Sequence, residues 1–169
     1  MRKKLPVAIS ACLLGHEVRY DGRTKSNAYI QDELSEYLSF QAICPEVEIG
    51  LGVPRPPMKL TRVNGQIQAV NIDGPKANYT QKLKNHAWLT MPSLADINAY
   101  IFKARSPSCG VGTSILNDQE KVNGVFAQEI LKAFPDLPVI DESRLETAED
   151  RLLFLNAVFE YAEKSNQRN

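Results

Sequence analysis

The stretch that decides the fold is "LPVAISACLLG", residues 5–15. It is an apolar run containing β-branched residues, and it ends at a glycine, as a buried strand does before a turn. Three more runs have this character: "FQAICPE" (40–46), "AYIFKAR" (99–105) and "LPVID" (137–141). Segments with helical spacing or turn-rich composition separate the four. Strands that alternate with helices predict an α/β fold, with a mostly parallel sheet flanked by helices in a Rossmann-like three-layer arrangement.

The segments between these strands predict helices and one hairpin. Helical spacing is found in "AYIQDELSEYL" (28–38), residues 76–89 and "GVFAQEILKAF" (124–134). Asn64–Gly65 is a strong two-residue turn signal and predicts a small β-hairpin insertion. Residues 143–164 predict a long terminal helix, which Ser143 and Glu146 would open as a capping box. At 169 residues we expect a single domain over 1–165 and a disordered tail over 166–169.

Composition and charge exclude several classes of protein. Lys+Arg and Asp+Glu are equal at 20 each, so no net charge draws the chain to nucleic acid or to a membrane surface. No apolar run is long enough to span a bilayer, and the start "MRKKLPVAISACLLG" reads as a strand rather than a signal peptide. The three cysteines, an odd number at wide spacing, do not make a disulfide framework. We therefore expect the protein in the reducing cytoplasm.

Each cysteine lies at or just after the C-terminal end of a predicted strand. Cys12 follows the first strand, Cys44 the second and Cys109 the third. Most free cysteines are simply small buried hydrophobes. Here, however, all three lie where the backbone turns sharply. Because ligands of parallel α/β sheets bind beyond the carboxyl ends of the strands, we expect the three thiols to meet at one rim.

Three thiolates are compatible with two kinds of metal site. Zinc could bind all three with His16 or His86 as the fourth ligand, in a closed structural site. An iron–sulfur cluster normally takes four cysteines, so a four-iron cluster here would leave one iron open to substrate. The cysteines lack the local CxxC spacing that would decide between them. The segment "SPSCGVG" (106–112) has two glycines of a phosphate-binding loop, but it lacks the third glycine of G-x-G-x-x-G and the Gly-Lys-Ser/Thr of a P-loop.

With these residues assembled, the sequence resembles the thiouracil desulfurase (TudS-like) family. The blocks "ISACLLGHEVRYDG" (9–22), "CPEVEIGLGVPRPP" (44–57) and "SPSCG" (106–110) match that family's blocks in order. "LPVIDESRLETAEDR" (137–151) is similar to the closing segment of the branch that often carries an additional thiolated-tRNA desulfidase-associated domain. The resemblance covers nearly the whole chain, and we expect the additional domain to be absent.

The resemblance implies a cofactor and a set of site residues. The cofactor is a [4Fe-4S] cluster with one iron not ligated by the protein, and its ligands correspond to Cys12, Cys44 and Cys109. The family's catalytic residues correspond to Glu46, two residues after the second cysteine, and Ser106, three before the third. Two further residues are predicted to bind substrate: Arg19 and Ser108.

The implied function is an enzyme that removes sulfur from a thiolated pyrimidine of the 2- or 4-thiouracil type. The reaction would be a hydrolysis without electron transfer, with the sulfide captured by the open iron and Glu46 moving the proton. One alternative is the same chemistry on a thiouridine nucleoside or tRNA, but the zero net charge favours a small substrate over tRNA. Two others are a non-enzymatic protein with a structural zinc and a sulfur carrier. We expect no membrane partner. The sequence does not indicate the oligomeric state.

Overall fold

The first strand is buried on both faces, as its apolar sequence predicts. Val7 and Ile9 point to one side and Ala8 to the other, and all three side chains are fully buried. In the computed structural model, which describes residues 3–167, this strand lies inside a four-stranded sheet, sheet A.

The chain forms eight strands and five helices within the described residues. The strands are β1 (Leu5–Ser10), β2 (Leu38–Ile43), β3 (Met58–Val63), β4 (Gln66–Asn71), β5 (Tyr100–Phe102), β6 (Ser114–Leu116), β7 (Glu120–Val122) and β8 (Val139–Asp141). The helices are α1 (Ala28–Asp32), α2 (Pro45–Glu48), α3 (Thr80–Thr90), α4 (Val125–Ala133) and α5 (Ala148–Asn166). Short 3-10 turns cover Ala11–Leu14, Leu34–Glu36, Met91–Leu94 and Glu142–Arg144.

Sheet A contains the four strands predicted from the sequence, in the order β2-β1-β5-β8, and every neighbouring pair is parallel. After β2 the chain crosses back to the other side of β1 to form β5. The winding therefore reverses between β1 and β5, which is where open α/β sheets bind their ligands.

Helices cover both faces of sheet A. Phe154 of α5 packs in the same buried cluster as Ile9, on the side that also holds α1. Phe126 of α4 packs with Phe102 on the opposite side, together with Ala87 of α3. The predicted single-domain, three-layer α/β architecture is confirmed.

The predicted hairpin belongs to a second sheet, sheet B, of order β4-β3-β6-β7. Its strands pair as predicted across Asn64–Gly65, with Val63 opposite Gln66. A second hairpin, β6–β7, joins β3 through the parallel pair of Leu60 with Leu116. Sheet B packs through its own buried cluster against α3 and the start of α4.

The terminal helix begins later than predicted. The Thr147 hydroxyl accepts a hydrogen bond from the Asp150 amide at 3.1 Å and so caps α5. The predicted capping box at Ser143 is wrong, because Ser143 lies in a 3-10 turn where its amide binds the Asp141 carboxylate at 3.1 Å.

The predicted division at residue 165 stays a prediction. Helix α5 runs to Asn166, and residues 168–169 of the predicted tail lie outside the described residues. Of the helices in residues 3–167, none is long and apolar enough to cross a membrane.

Candidate active site

A cavity of about 350 Å³ opens at the carboxyl ends of β1, β2 and β5. This volume lies at the small end of the range for pockets that bind small molecules. All seven predicted site residues line the cavity: Cys12, Arg19, Cys44, Glu46, Ser106, Ser108 and Cys109. The convergence expected from the strand ends is therefore present in the structure.

The three thiols reach the cavity from three different strand ends. Cys12 lies in the 3-10 turn that follows β1, and Cys44 directly precedes α2 as its N-terminal cap residue. Cys109 lies in the turn after β5. All three cysteines are free, and Cys12 and Cys109 are only 7% and 4% exposed.

Burial controls the protonation of these thiols. It raises the pKa of Cys12 to about 11, against an opposing effect of the Lys103 ammonium. Burial also raises the pKa of Cys44 and of Cys109, and the charge of Cys44 raises the pKa of both other thiols. The thiols are therefore protonated in the metal-free fold at neutral pH, and a metal centre must displace their protons when it binds.

The donor set fits an iron–sulfur cluster better than a zinc ion. Within residues 3–167, no three His, Cys, Asp or Glu side chains come close enough to hold a single metal ion. His16 is exposed, His86 binds Glu48 at 2.6 Å, and neither histidine lines the cavity. A four-iron cluster is larger than one ion and keeps its thiolates further apart, so three soft sulfur donors around one cavity suit it.

Glu46 is held at both oxygens of its carboxylate. Pro45 opens the short helix α2 and places Glu46 in its first turn. Arg55 Nε donates to Glu46 Oε2 at 2.8 Å, and Ser108 Oγ donates to Glu46 Oε1 at 2.8 Å. The carboxylate therefore has a defined direction at the cavity wall.

Ser106, Ser108 and Glu46 form a chain of hydrogen bonds with a defined direction. Ser106 Oγ accepts from the amides of Ser108 at 3.3 Å and Cys109 at 3.1 Å, and it lies 3.1 Å from Ser108 Oγ. The one hydroxyl proton of Ser108 goes to the Glu46 carboxylate, which when ionised can only accept. Ser106 is therefore the donor to Ser108.

The turn that carries these serines is fixed by close backbone contacts. The carbonyl oxygens of Pro107 and Ser108 accept from the amides of Val125 and Ala127 in the first turn of α4, each at 3.0 Å. A Cβ atom at Gly124 would lie 2.4 Å from the carbonyl carbon of Ser108. Only glycine allows this approach, so the position of the turn depends on Gly124.

The cavity wall carries an excess of positive charge. One acidic residue, Glu46, faces five cationic lining residues: Arg19, Lys25, Arg55, Lys103 and Arg105. Arg55 pairs with Glu46, Lys103 pairs with Glu142, and Arg19 lies 3.9 Å from Asp21. The remaining positive charge suits an anionic occupant, such as a cluster bound through three thiolates.

Arg55 is the site residue that sequence reasoning missed. It lies inside the quoted block "CPEVEIGLGVPRPP" (44–57), between Pro54 and Pro56. A single cation between two prolines, in a short loop dense in proline and glycine, is the signal that could have identified it.

Comparison with known proteins agrees with this geometry. The model of the 2-thiouracil desulfurase family matches residues 7–142. A solved structure of a [4Fe-4S]-dependent thiouracil desulfidase, TudS, is 30% identical in sequence and superimposes with a TM-score of 0.65. The match covers 84% of this chain and 93% of that chain. Among curated proteins, no sequence matches this one.

Proposed function

The chain belongs to the 2-thiouracil desulfurase family of enzymes, and we propose that it removes sulfur from a thiolated pyrimidine of the 2- or 4-thiouracil type. The observation that carries this proposal is the meeting of three free thiols, a fixed carboxylate and a serine hydroxyl on one small cavity. Such a constellation combines a soft metal site with a group able to move protons.

We propose that Cys12, Cys44 and Cys109 hold a [4Fe-4S] cluster. The chain has three cysteines, so one iron of the cluster would have no cysteine ligand. When bound, the cluster supplies a soft Lewis acid that polarises the thiocarbonyl bond and takes up the sulfur. The positive lining residues would balance its negative charge.

The reaction proposed for this site exchanges sulfur for oxygen. The oxygen of a water molecule bonds to the thiocarbonyl carbon, the carbon–sulfur bond breaks, and sulfide leaves without any net transfer of electrons. Glu46 acts as the general base that takes the proton of this water. Arg55 and Ser108 bind one lone pair on each oxygen of Glu46, so other lone pairs are left to accept the proton.

We propose that the serines orient the water and extend the proton path. Ser106 lies at the cavity wall and is partly exposed, and its hydroxyl can contact the water or the substrate by exchanging its longer bond, from the Ser108 amide at 3.3 Å, for one to that molecule. Ser108 is only 1% exposed and links Ser106 to Glu46, in addition to the substrate contact predicted for it. Arg19 would donate a hydrogen bond to a carbonyl oxygen of the pyrimidine.

Charge and cavity size favour a small substrate. The formal net charge is zero, and the cavity of about 350 Å³ is large enough for a pyrimidine base. tRNA binding usually depends on a basic surface and falls as the salt concentration rises. The three free thiols fit the reducing cytoplasm that we propose as the location of the enzyme.

The test is reconstitution with iron and sulfide under anaerobic conditions, followed by incubation with 2- or 4-thiouracil. We expect about four irons per chain. We also expect the thiouracil absorbance to fall while sulfide and the oxo base appear in equal amounts, without any acceptor protein. The same protein loaded with zinc is the control and should leave thiouracil unchanged. A protein that binds four irons and consumes neither thiouracil would overturn the proposal.

A further inference from the structure

Arg55 is a buried cation whose side chain has three hydrogen-bonding nitrogens, all in use. Its residue is 8% exposed. Nε donates to the Glu46 carboxylate at 2.8 Å, Nη1 to the carbonyl oxygen of Gly52 at 2.9 Å, and Nη2 to the carbonyl oxygen of Val18 at 2.8 Å. The guanidinium plane is therefore fixed from three directions.

These contacts join segments that are distant in the sequence. Val18 belongs to the loop after β1, whereas Glu46 belongs to α2 and Gly52 to the loop that follows it. The backbone amide of Arg55 adds a bond to the carbonyl oxygen of Tyr20 at 2.9 Å. One residue thus ties the loop after β1 to the helix that carries the candidate base.

A requirement for stability alone does not explain this arrangement. Removing two charges from water costs free energy that their attraction barely returns, and apolar replacements of whole buried ion pairs are often as stable. A buried pair can instead fix the direction of its partner. The Glu46 carboxylate has few orientations available, because Arg55 holds one of its oxygens and Ser108 holds the other.

We infer that Arg55 is a positioning residue that sets the direction of the Glu46 carboxylate toward the cavity. The inference rests on the proposed function of Glu46 as the general base. While Arg55 and Ser108 each hold one oxygen, the carboxylate cannot rotate about its last carbon–carbon bond. If Ser108 alone holds it, the carboxylate can rotate. Lysine cannot replace Arg55, because an ammonium is a single point charge on a flexible stem and lacks the planar fork.

The expected consequence is a defect in turnover with binding largely intact. In Arg55→Lys we expect kcat to fall about 10- to 100-fold, as for a misplacement of a catalytic group by about 1 Å. We expect KM to change by less than about threefold and the iron content to stay at about four per chain, since the side-chain nitrogens of Arg55 donate to Glu46, Gly52 and Val18 and not to a cysteine. Arg62→Lys is the matched control, because Arg62 forms an exposed pair with Glu120 at 3.1 Å and neither residue lines the cavity.

A double-mutant cycle separates positioning from a general structural role. If Arg55 acts through Glu46, then adding Arg55→Lys to Glu46→Gln lowers kcat no further. An equal loss of activity from Arg55→Lys in both backgrounds would overturn the inference.

A second measurement needs no activity. Crystal structures of the metal-free wild type and of Arg55→Lys should show the Glu46 carboxylate turned to a different direction in the variant. An unchanged carboxylate would overturn the inference. If wild type loaded with the cluster does not desulfurate, the proposed function fails, and these structures still decide what Arg55 does. Should Arg55→Lys not fold, Arg55→Gln replaces it; if neither folds, Arg55 is a structural residue and the inference is wrong.

Discussion

Two segments that line the cavity, and that meet where Ser108 donates to Glu46, are fixed by different means. The segment that carries the proposed base, Glu46–Arg55, is held by the Arg55 side chain, and its glycines have open space around them. The thiol-carrying turn, Ser106–Cys109, is held by its own backbone against the start of α4, with Gly124 in direct contact.

This difference in anchoring assigns the two segments different tasks in the site, namely directing the proposed base and holding the metal centre. A segment held through one side chain loses its position when that side chain is changed, so we expect substitutions there to misdirect the proposed base and to leave the metal centre in place. A turn anchored through its backbone cannot adjust without moving its cysteine. Substitutions in or under the turn should therefore act on cofactor retention and on folding.

The largest effect is expected from Cys109→Ser. A serine oxygen is a poor ligand for iron, and the rigid turn offers no second sulfur at that place. We expect iron content and desulfuration both to fall to background, measured by iron analysis and by thiouracil absorbance after anaerobic reconstitution. A variant that keeps about four irons per chain would show that Cys109 is not a ligand.

Glu46→Gln should give the next largest effect. Unlike Cys109→Ser, it should lower the activity and leave the iron content unchanged. Glutamine keeps the shape of the side chain and can still accept from Arg55, but it cannot take a proton. We expect kcat to fall by about 10²- to 10⁴-fold while the iron content and the cluster spectrum stay unchanged. Glu48→Gln is the matched control, because Glu48 lies on the same helix but binds His86 outside the cavity. Wild-type activity in Glu46→Gln would contradict the assignment of the base.

Two glycine substitutions compare directly how the two segments are fixed. In Gly124→Ala the new Cβ meets the backbone of Ser108 and Cys109 at 2.4–2.6 Å, so we expect about 3 kcal/mol of destabilisation and a loss of bound iron. In Gly52→Ala the Cβ meets no atom of the described residues within 4 Å, and the cost is that of a positive φ of 73°, about 1 kcal/mol. Urea unfolding of the metal-free proteins measures both values. Equal values would mean that the turn is not fixed by its backbone.

Sequence patterns predicted sheet A and the meeting of the cysteines because both depend on local signals. Buried strands are apolar runs, and the carboxyl ends of parallel strands meet at one edge. The β6–β7 hairpin was missed because strands of three residues are too short to show a period of two. Its turn at Asn117–Asp118, with φ of 50° and 62°, left only a weak signal.

Other features depend on contacts that local sequence does not encode. Ser143 and Thr147 each precede an acidic residue by three positions, so either could cap the helix by its sequence. Thr147 is the cap, because the Ser143 amide donates to the Asp141 carboxylate and keeps Ser143 in the preceding turn. The role of Arg55 depends on Val18, 37 residues away in the chain, so no periodic pattern could reveal it.

The smallest expected effect concerns pH and the protons of the buried thiols. Burial raises the pKa of Cys12 to about 11 from 9.0, so the folded metal-free protein holds this proton more tightly than the unfolded chain does. The resulting stability is present below pH 9 and is lost as the pH rises toward 11. We expect the free energy of unfolding to fall between pH 8 and pH 10 by about 1 kcal/mol more in wild type than in Cys12→Ser.

The cluster-loaded protein provides the control for this pH dependence. Because the three cysteines are proposed as its ligands, their thiols would already be deprotonated, so the decrease assigned to Cys12 should disappear once the metal centre is in place. An identical decrease in wild type and Cys12→Ser would mean that the thiol is not buried as the structure shows.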